Sequence, residues 1–178
     1  MALVELVDLF PTLADIAGLP VPPPCPPSSL NVSFCSEGSS FLPVIQNMSR
    51  GFQRKEKSSR IAESPSVSGV HWKSAAFSQF PRPRMEPSVN SDQPSLQDVR
   101  IMGYSMRTHV HRYTEWIAYD PASFSANWTH VYAKELYLHD VDPNEDHNEA
   151  YSSRYATLVE RLALHLREGW RHHQPLSH

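Results

Sequence analysis

The chain has 178 residues, 40% of them hydrophobic, which suffices for a modest core and argues against wholesale disorder. Its net charge of -3 excludes a strongly basic nucleic-acid-binding protein, and no stretch approaches the roughly 18 consecutive apolar residues of a membrane span. The 16 prolines cluster mainly at 20–27 and 81–87, so much of the chain is expected to form loops.

The N-terminal sequence and the glycosylation sequons point in different directions. Residues 1–19 contain three acidic residues and no basic leader, and they make a poor signal peptide. Three N-x-S/T sequons nevertheless predict glycosylation at Asn31, Asn47 and Asn127 if the chain enters the secretory pathway. We therefore expect the natural N-terminus to lie upstream of Met1.

The first predicted element is an entry segment followed by a short helix over residues 3–18. Asp8 can cap this helix, Pro11 falls in its first turn, and Gly18 followed by Pro20 is a natural stop. One face is apolar and consists of Phe10, Leu13, Ile16 and Ala17. Because so short a segment has little to pack against locally, we expect this face to bury elsewhere.

A long irregular region separates this helix from a predicted sheet. Residues 20–69 are poor in regular structure, and they include a charged tract at 50–60 and a linker-like tract at 63–69. Strands are predicted at 70–80, 99–110, 111–120 and 135–140, with a proline break ending the first and a hairpin joining the second and third.

The clearest helical pattern occupies residues 152–170, with Ser152 or Ser153 as the cap. Apolar residues recur every three or four positions, at Tyr155, Leu158, Val159, Leu162, Leu166 and Trp170. A charged face carries Glu160, Arg161, Arg167 and Glu168. The sequence thus predicts an α+β fold: a small antiparallel sheet of about four strands with a packed C-terminal helix, preceded by an N-terminal helix and a long disulfide-containing loop.

The two cysteines, Cys25 and Cys35, enclose a loop of about ten residues. In an oxidising compartment a disulfide closing such a loop stabilises by about 2–3 kcal/mol, and we favour this interpretation. A metal site is disfavoured because no histidine lies near the pair. A reactive thiolate is disfavoured because the neighbours are prolines and serines rather than basic residues.

Two further groups resemble metal ligands. The acidic run 140–146 alternates oxygen ligands as a calcium loop does, but Glu145 and Tyr151 stand where such a loop has Gly and Glu, so we favour a hydrogen-bonded turn. His109 and His111 would share one face of a strand, yet no third ligand is evident from the spacing. We predict no metal site and favour an exposed or packing role for both histidines.

The stretch FSQFPRPR, 77–84, contains the candidate ligand-binding residues. A strand ends there, and a rigid proline loop presents Phe80, Arg82 and Arg84. Arginines on a fixed loop suit sulfate or carboxylate groups through charge-assisted hydrogen bonds. The alternative is a solvated structural loop.

Several blocks together resemble the sulfatase family. ELVDLFPTLADIAGLPVP resembles the segment that joins the catalytic domain of sulfatases to their C-terminal subdomain. SQFPRP, the stretch from SDQPSL to HRYTEW, and ELYLHDVDPNEDHNEA are similar to the C-terminal subdomain of one lysosomal branch. The likeness runs from about residue 3 to 149 and is poor between 38 and 70.

The resemblance implies a lysosomal hydrolase that removes the 2-O-sulfate of iduronate in heparan and dermatan sulfate. Such enzymes use calcium and a formylglycine made from cysteine in a C-x-P-S-R signature. It implies four segments: the end of the catalytic-domain segment with a junction helix at 1–20, a loop region at 21–69, the C-terminal subdomain at 70–170, and a tail at 171–178. The implied subdomain, a four-stranded antiparallel sheet with a packed helix, agrees with the pattern above.

The cysteine signature is matched only in part. Cys25-Pro26-Pro27-Ser28 satisfies C-x-P-S, but Ser29 stands where the family has arginine, and the formylglycine precedes the junction segment rather than following it. In the resembling subdomain the cysteines near this place form a disulfide. We therefore assign no catalytic residue to this chain and expect it to be inactive without a catalytic N-terminal domain, which would hold the calcium and be its partner.

Two alternatives belong to other classes. A non-catalytic glycosaminoglycan- or protein-binding module would need a basic surface, which the net charge disfavours. A truncated product without independent function would expose the apolar face of residues 3–18.

Overall fold

The computed structural model describes residues 2–26, 32, 34–47, 72–86, 89, 93–169 and 171. The chain divides into two compact units, with the boundary between Lys73 and Ser74. The predictions for the tracts 50–60 and 63–69, for Asn31, for Trp170 and for most of the tail concern positions outside the described residues.

The first unit begins with a 3-10 turn, Leu6–Asp8, that leads directly into helix α1, Leu9–Ile16. The prediction that Asp8 caps α1 is wrong, because its side chain makes no cap bond to that helix. The Asp8 carboxylate instead accepts the backbone N–H of Glu5 at 2.9 Å and that of Ser39 at 2.8 Å, and it pairs with Lys73 Nζ at 2.6 Å. Asp8 and Lys73 are both buried. The Asp8 carboxylate thus connects the start of the chain to the loop at Ser39 and to Lys73.

The loop after α1 is held by a disulfide and by a close backbone approach. Cys25 and Cys35 form the predicted disulfide, which the flanking bridge between Pro24 and Ser36 supports. A Cβ added at Gly38 would lie 2.0 Å from the carbonyl oxygen of Val7. Only glycine therefore lets this loop approach the 3-10 turn so closely.

The apolar face of the first unit is exposed in this chain. Leu6 is 86% exposed, and Phe10, Leu13 and Ile16 are more than half exposed. Phe10, Leu13 and Ile16 belong to the face predicted from the sequence, and together with Leu6 they are called the apolar face below. The sequence predicts that such a face is buried elsewhere, and the described residues of this chain leave it accessible.

The second unit contains one sheet of four strands. They are β1 (Ala76–Arg82), β2 (Ile101–Arg107), β3 (His111–Asp120) and β4 (Ser125–Leu138). Their order in the sheet is their order in the chain, and all neighbours are antiparallel. The predicted α+β fold with about four strands is confirmed.

β3 has its predicted bounds, and the other three strands differ from the prediction at both ends. β1 continues through Pro81, because β1 lies at the sheet edge, where a missing N–H need not break a ladder bond. β4 begins ten residues before the predicted start at residue 135. Its early half is mostly exposed and pairs with β3 across register shifts near Ile117, so it lacks the apolar alternation that marks a strand in sequence.

Helix α2, Ala156–Glu168, covers one side of the sheet, which we call the inner face. The predicted apolar period is confirmed, since Val159, Leu162 and Leu166 are buried. They belong to one core cluster with Met106, Tyr113 and Leu136. The predicted serine cap is wrong, because Ser152 makes no side-chain cap bond to the 3-10 turn, Ser153–Tyr155, that precedes α2.

A buried carboxylate joins α2 to the sheet. Glu115 is fully buried on the inner face of β3, where the Tyr113 hydroxyl donates to it at 2.8 Å. Arg167 lies on the exposed charged face of the helix, as predicted, and donates to Glu115 Oε2 from Nη2 at 2.9 Å and from Nε at 3.3 Å. Burial, together with the bond to Glu115, raises the pKa of Tyr113 far above its usual range, so the phenol remains a donor.

Replacing Arg167 by Met tests this attachment. The free energy of unfolding of the second unit should fall by about 2–3 kcal/mol, because a buried carboxylate loses its main cation. In a Glu115→Gln background the same replacement should cost less than about 1 kcal/mol, since no buried charge is left unpaired. Urea denaturation followed by circular dichroism measures both, and equal costs in the two backgrounds would contradict the assignment.

Replacing both Cys25 and Cys35 by Ser tests the role of the disulfide. The amides of α1 and of residues 34–40 should exchange faster, corresponding to a loss of about 2–3 kcal/mol. The amides of β2 and β3 serve as the internal control and should keep their exchange rates. Equal acceleration in both units would show that the disulfide is not a local constraint.

Candidate functional site

The side of the sheet opposite α2, which we call the outer face, carries the candidate ligand-binding residues. Side chains alternate along each strand, so one row of register partners runs across all four strands. This row consists of Phe80, Gly103, Trp116 and Ala133. Arg82 lies two positions beyond Phe80 on β1 and therefore shares the face.

Phe80 and Arg82 both contact the indole ring of Trp116. The Phe80 and Trp116 centroids are 6.5 Å apart with their planes at 78°, an edge-to-face contact. The Arg82 guanidinium lies 5.5 Å from the Trp116 ring, and its Nη2 donates to the Met85 carbonyl oxygen at 3.1 Å. Arg82 is thus held in one orientation by a cation–π contact and by a hydrogen bond from its own loop.

Trp116 is itself fixed from two sides. Its Nε1–H donates to Glu135 Oε1 at 2.8 Å. Its ring covers Gly103, where an added Cβ would lie 2.7 Å from the ring atom Cζ3. The contact between Trp116 and Gly103 was not predicted, although a glycine in the middle of a predicted strand signals a close approach.

Arg84 lies past the end of β1 and is exposed. The structure therefore brings Phe80 and Arg82 together and leaves Arg84 on the following loop. Ligand contact by these three residues remains a prediction.

The acidic run forms the hydrogen-bonded turn that the sequence favours. The Asp142 carboxylate accepts the backbone N–H of Asp146 at 3.0 Å and that of His147 at 2.9 Å. These two bonds hold the pKa of Asp142 below its ordinary value. In the part of the chain that the structure describes, no group of three or more His, Cys, Asp or Glu side chains is placed to hold a metal ion.

The two candidate histidines have different surroundings. His109 is exposed on the turn between β2 and β3, whereas His111 begins β3 and is half-buried. Burial lowers the pKa of His111 from its ordinary value, an effect that Asp140 opposes.

Asn127 with its whole sequon and Asn47 alone are among the described residues. Asn127 is exposed on β4. Its side-chain oxygen accepts two hydrogen bonds from Thr129, one from the backbone N–H at 3.1 Å and one from the hydroxyl group at 2.6 Å. Asn47 is half-buried at the end of a helical segment, 42–47. Neither the exposure of Asn127 nor the position of Asn47 tests whether a glycan is attached. No helix in the described ranges has the length and apolar character needed to cross a membrane.

The fold of the chain is similar to that of part of a solved structure. It superposes on the crystal structure of a candidate sulfatase of Bacteroides thetaiotaomicron with a TM-score of 0.50 and 19% identity, covering 93% of this chain and 24% of that chain. At this identity the likeness concerns the fold alone. The comparison with protein-family models finds no match.

Sequence comparison gives the closer relationship. The chain is 46% identical over 160 residues to iduronate 2-sulfatase of Mus musculus and 44% identical over 162 residues to that of Homo sapiens. These matches cover 90% and 91% of this chain but only 27% and 28% of the relatives, so the chain spans about a quarter of their length. The chain is homologous to the C-terminal part of iduronate 2-sulfatases, and the predicted resemblance is confirmed.

Replacing Gly103 by Ala tests how Trp116 is seated. The new methyl group must displace the indole, so the unfolding free energy should fall by about 1–3 kcal/mol, and Arg82 should lose its stacking surface. In the fluorotryptophan-labelled protein the fluorine NMR signal of Trp116 should shift. Ser105→Ala, on the same strand and face, is the matched control. An unchanged Trp116 signal in the Gly103 variant would contradict the close contact between the indole ring and Gly103.

Proposed function

We propose that the chain acts as the C-terminal part of a lysosomal sulfatase that hydrolyses the 2-O-sulfate of iduronate in heparan and dermatan sulfate. The observation that carries this proposal is the 44–46% identity to iduronate 2-sulfatases over about 160 residues. Identity at this level over nearly the whole chain supports shared chemistry of the surfaces that the segment contributes.

In this proposal Arg82 contacts the anionic sugar, with Phe80 and Arg84 beside it. An anionic sugar carries sulfate and carboxylate groups, which guanidinium groups bind through charge-assisted hydrogen bonds. Arg82 is oriented by Trp116 and by the Met85 carbonyl before any ligand arrives. An arginine held in this way loses little side-chain entropy on binding, which favours its use in recognition.

The nucleophile and the metal belong to a catalytic part in this proposal. The sulfur of Cys25 is engaged in the disulfide with Cys35, so the near-signature at Cys25 supplies no thiol for conversion to formylglycine. The described residues do not fit a calcium site, since they include no suitable group of ligands. We therefore derive no metal step for this chain and expect no turnover from it alone.

The apolar face supports contact with such a catalytic part. Leu6, Phe10, Leu13 and Ile16 form a contiguous run of large apolar side chains on consecutive turns of one segment. Apolar patches of this kind usually mark an interaction surface in soluble proteins. The same segment resembles the junction between the two sulfatase domains, which makes the catalytic domain the expected occupant.

A chimera tests the proposed function. Residues of this chain would replace the matching segment of the mouse iduronate 2-sulfatase, and sulfate release from a 2-O-sulfated oligosaccharide would be measured. The chimera should turn over substrate, and Arg82→Ala should lower its kcat/KM by roughly 10- to 100-fold through the loss of a charged hydrogen bond. Arg154→Ala, an exposed arginine on the 3-10 turn before α2, is the matched control. Unchanged kinetics in the Arg82 variant would remove that residue from the proposal.

A further inference from the structure

A second cationic group lies on the outer face, away from Arg82 and Trp116. Arg107 and Arg112 are register partners at the ends of β2 and β3, and His139 follows β4. We call these three residues the cationic cluster. On β2, Arg107 lies four residues from Gly103, so the cluster is about 13 Å from the Trp116 row along the strand.

All three members of the cluster converge on one carboxylate, that of Glu145. Arg112 Nη2 pairs with Oε2, Arg107 Nη1 lies 3.4 Å from Oε1, and His139 Nε2 lies 2.6 Å from Oε1. Two guanidinium groups thus share one carboxylate as their ion-pair partner. The Asp142 carboxylate in the same turn accepts backbone N–H groups of Asp146 and His147 instead of pairing with these arginines.

The cluster leaves two buried nitrogen atoms without a partner among the described residues. Arg112 uses a terminal nitrogen toward Glu145 and places its guanidinium 5.1 Å from the Tyr137 ring, while its Nε–H is buried and has no partner among the described residues. His139 Nδ1 is likewise buried without a described partner, and that side chain is only 8% exposed. A buried donor without an acceptor costs free energy, and a sulfate that takes the place of Glu145 and binds Arg112 through both Nε and Nη would remove that cost.

Glu145, whose carboxylate pairs with the cationic cluster, has an unusual backbone conformation. Glu145 has a φ of 62°, in the left-handed region that a non-glycine residue rarely adopts. It lies in the turn after β4, and its side chain is 18% exposed, beside the half-exposed Arg107 and Arg112. Glu145 is therefore an internal anion held at the edge of an accessible cationic site.

We propose that the cationic cluster binds a sulfate group of a sulfated glycan, and that Glu145 occupies the place of this sulfate until the glycan displaces it. The choice of sulfate rests on the proposed function, which supplies a sulfated glycan as the substrate class. The two arginines face the same side of the sheet as Arg82, so one extended chain could contact both ends of the outer face. The cluster would then bind the glycan at a distance from the sulfate that is hydrolysed.

Binding of a heparin-derived hexasaccharide to the 178-residue chain tests this inference by calorimetry at low salt. Arg112→Gln should weaken binding roughly tenfold or more, since it removes charged hydrogen bonds. Glu145→Gln should strengthen binding severalfold, because the internal competitor loses its charge. Arg154→Gln and Glu160→Gln, exposed residues of the α2 region, are the charge-matched controls and should change affinity by less than about twofold.

Several results would overturn the inference. They are the absence of binding, equal loss in the Arg112 and Arg154 variants, weaker binding by the Glu145 variant, or equal binding of the desulfated hexasaccharide. Inorganic sulfate matching the hexasaccharide in affinity would also overturn it, because the site would then take a free ion only. Circular dichroism checks folding, and Arg107→Gln replaces Arg112→Gln if the latter unfolds.

A parallel Arg82→Ala arm separates this inference from the proposed function. Binding that depends on Arg82 but not on the cationic cluster would overturn the inference and leave the proposed function standing. Binding that depends on the cationic cluster, together with a chimera that shows no turnover, would overturn the proposed function and leave the inference standing.

Discussion

The second unit depends on the buried carboxylate of Glu115. A fully buried charge on the inner face of β3 is tolerable only with partners, and Tyr113 from the same strand and Arg167 from α2 provide them. Arg167 also lies over Trp128, with 5.7 Å between the guanidinium and the ring. These contacts help determine which side of the sheet α2 covers. The side that remains carries Phe80, Arg82 and the two arginines of the cationic cluster.

The two sides of the sheet consequently have different chemistry. The inner face is filled by Met106, Tyr113, Leu136 and the apolar stripe of α2. The outer face presents a tryptophan platform with Arg82 at one end and the cationic cluster at the other. A net charge of -3 for the whole chain conceals this local distribution, so composition alone underestimates its capacity to bind anions.

Local patterns predicted the architecture well, because periodicity and turn residues report local structure. The β2–β3 hairpin, the apolar stripe of α2 and the disulfide of Cys25 with Cys35 all follow from short stretches of sequence. The outer row joining Phe80, Gly103 and Trp116 required the strand register, which no single segment contains.

One wrong prediction and one missed contact have the same physical cause. Asp8 pairs with Lys73 instead of capping α1, and Arg167, on the exposed charged face of α2 as predicted, also pairs with the buried Glu115. A charged residue at a helix end has the same local pattern whether it faces water or a buried partner. Likewise, the first half of β4 is a strand because β3 pairs with it, and its own exposed side chains give little indication.

We propose that this chain is one part of a larger sulfatase and that the apolar face contacts the catalytic part. Hydrogen exchange in the mouse-based chimera, compared with the isolated chain, measures this contact directly. The amides of residues 6–19 should become strongly protected in the chimera, while those of β2 and β3 should change little. Equal exchange of residues 6–19 in the two proteins would contradict the contact between the apolar face and the catalytic part.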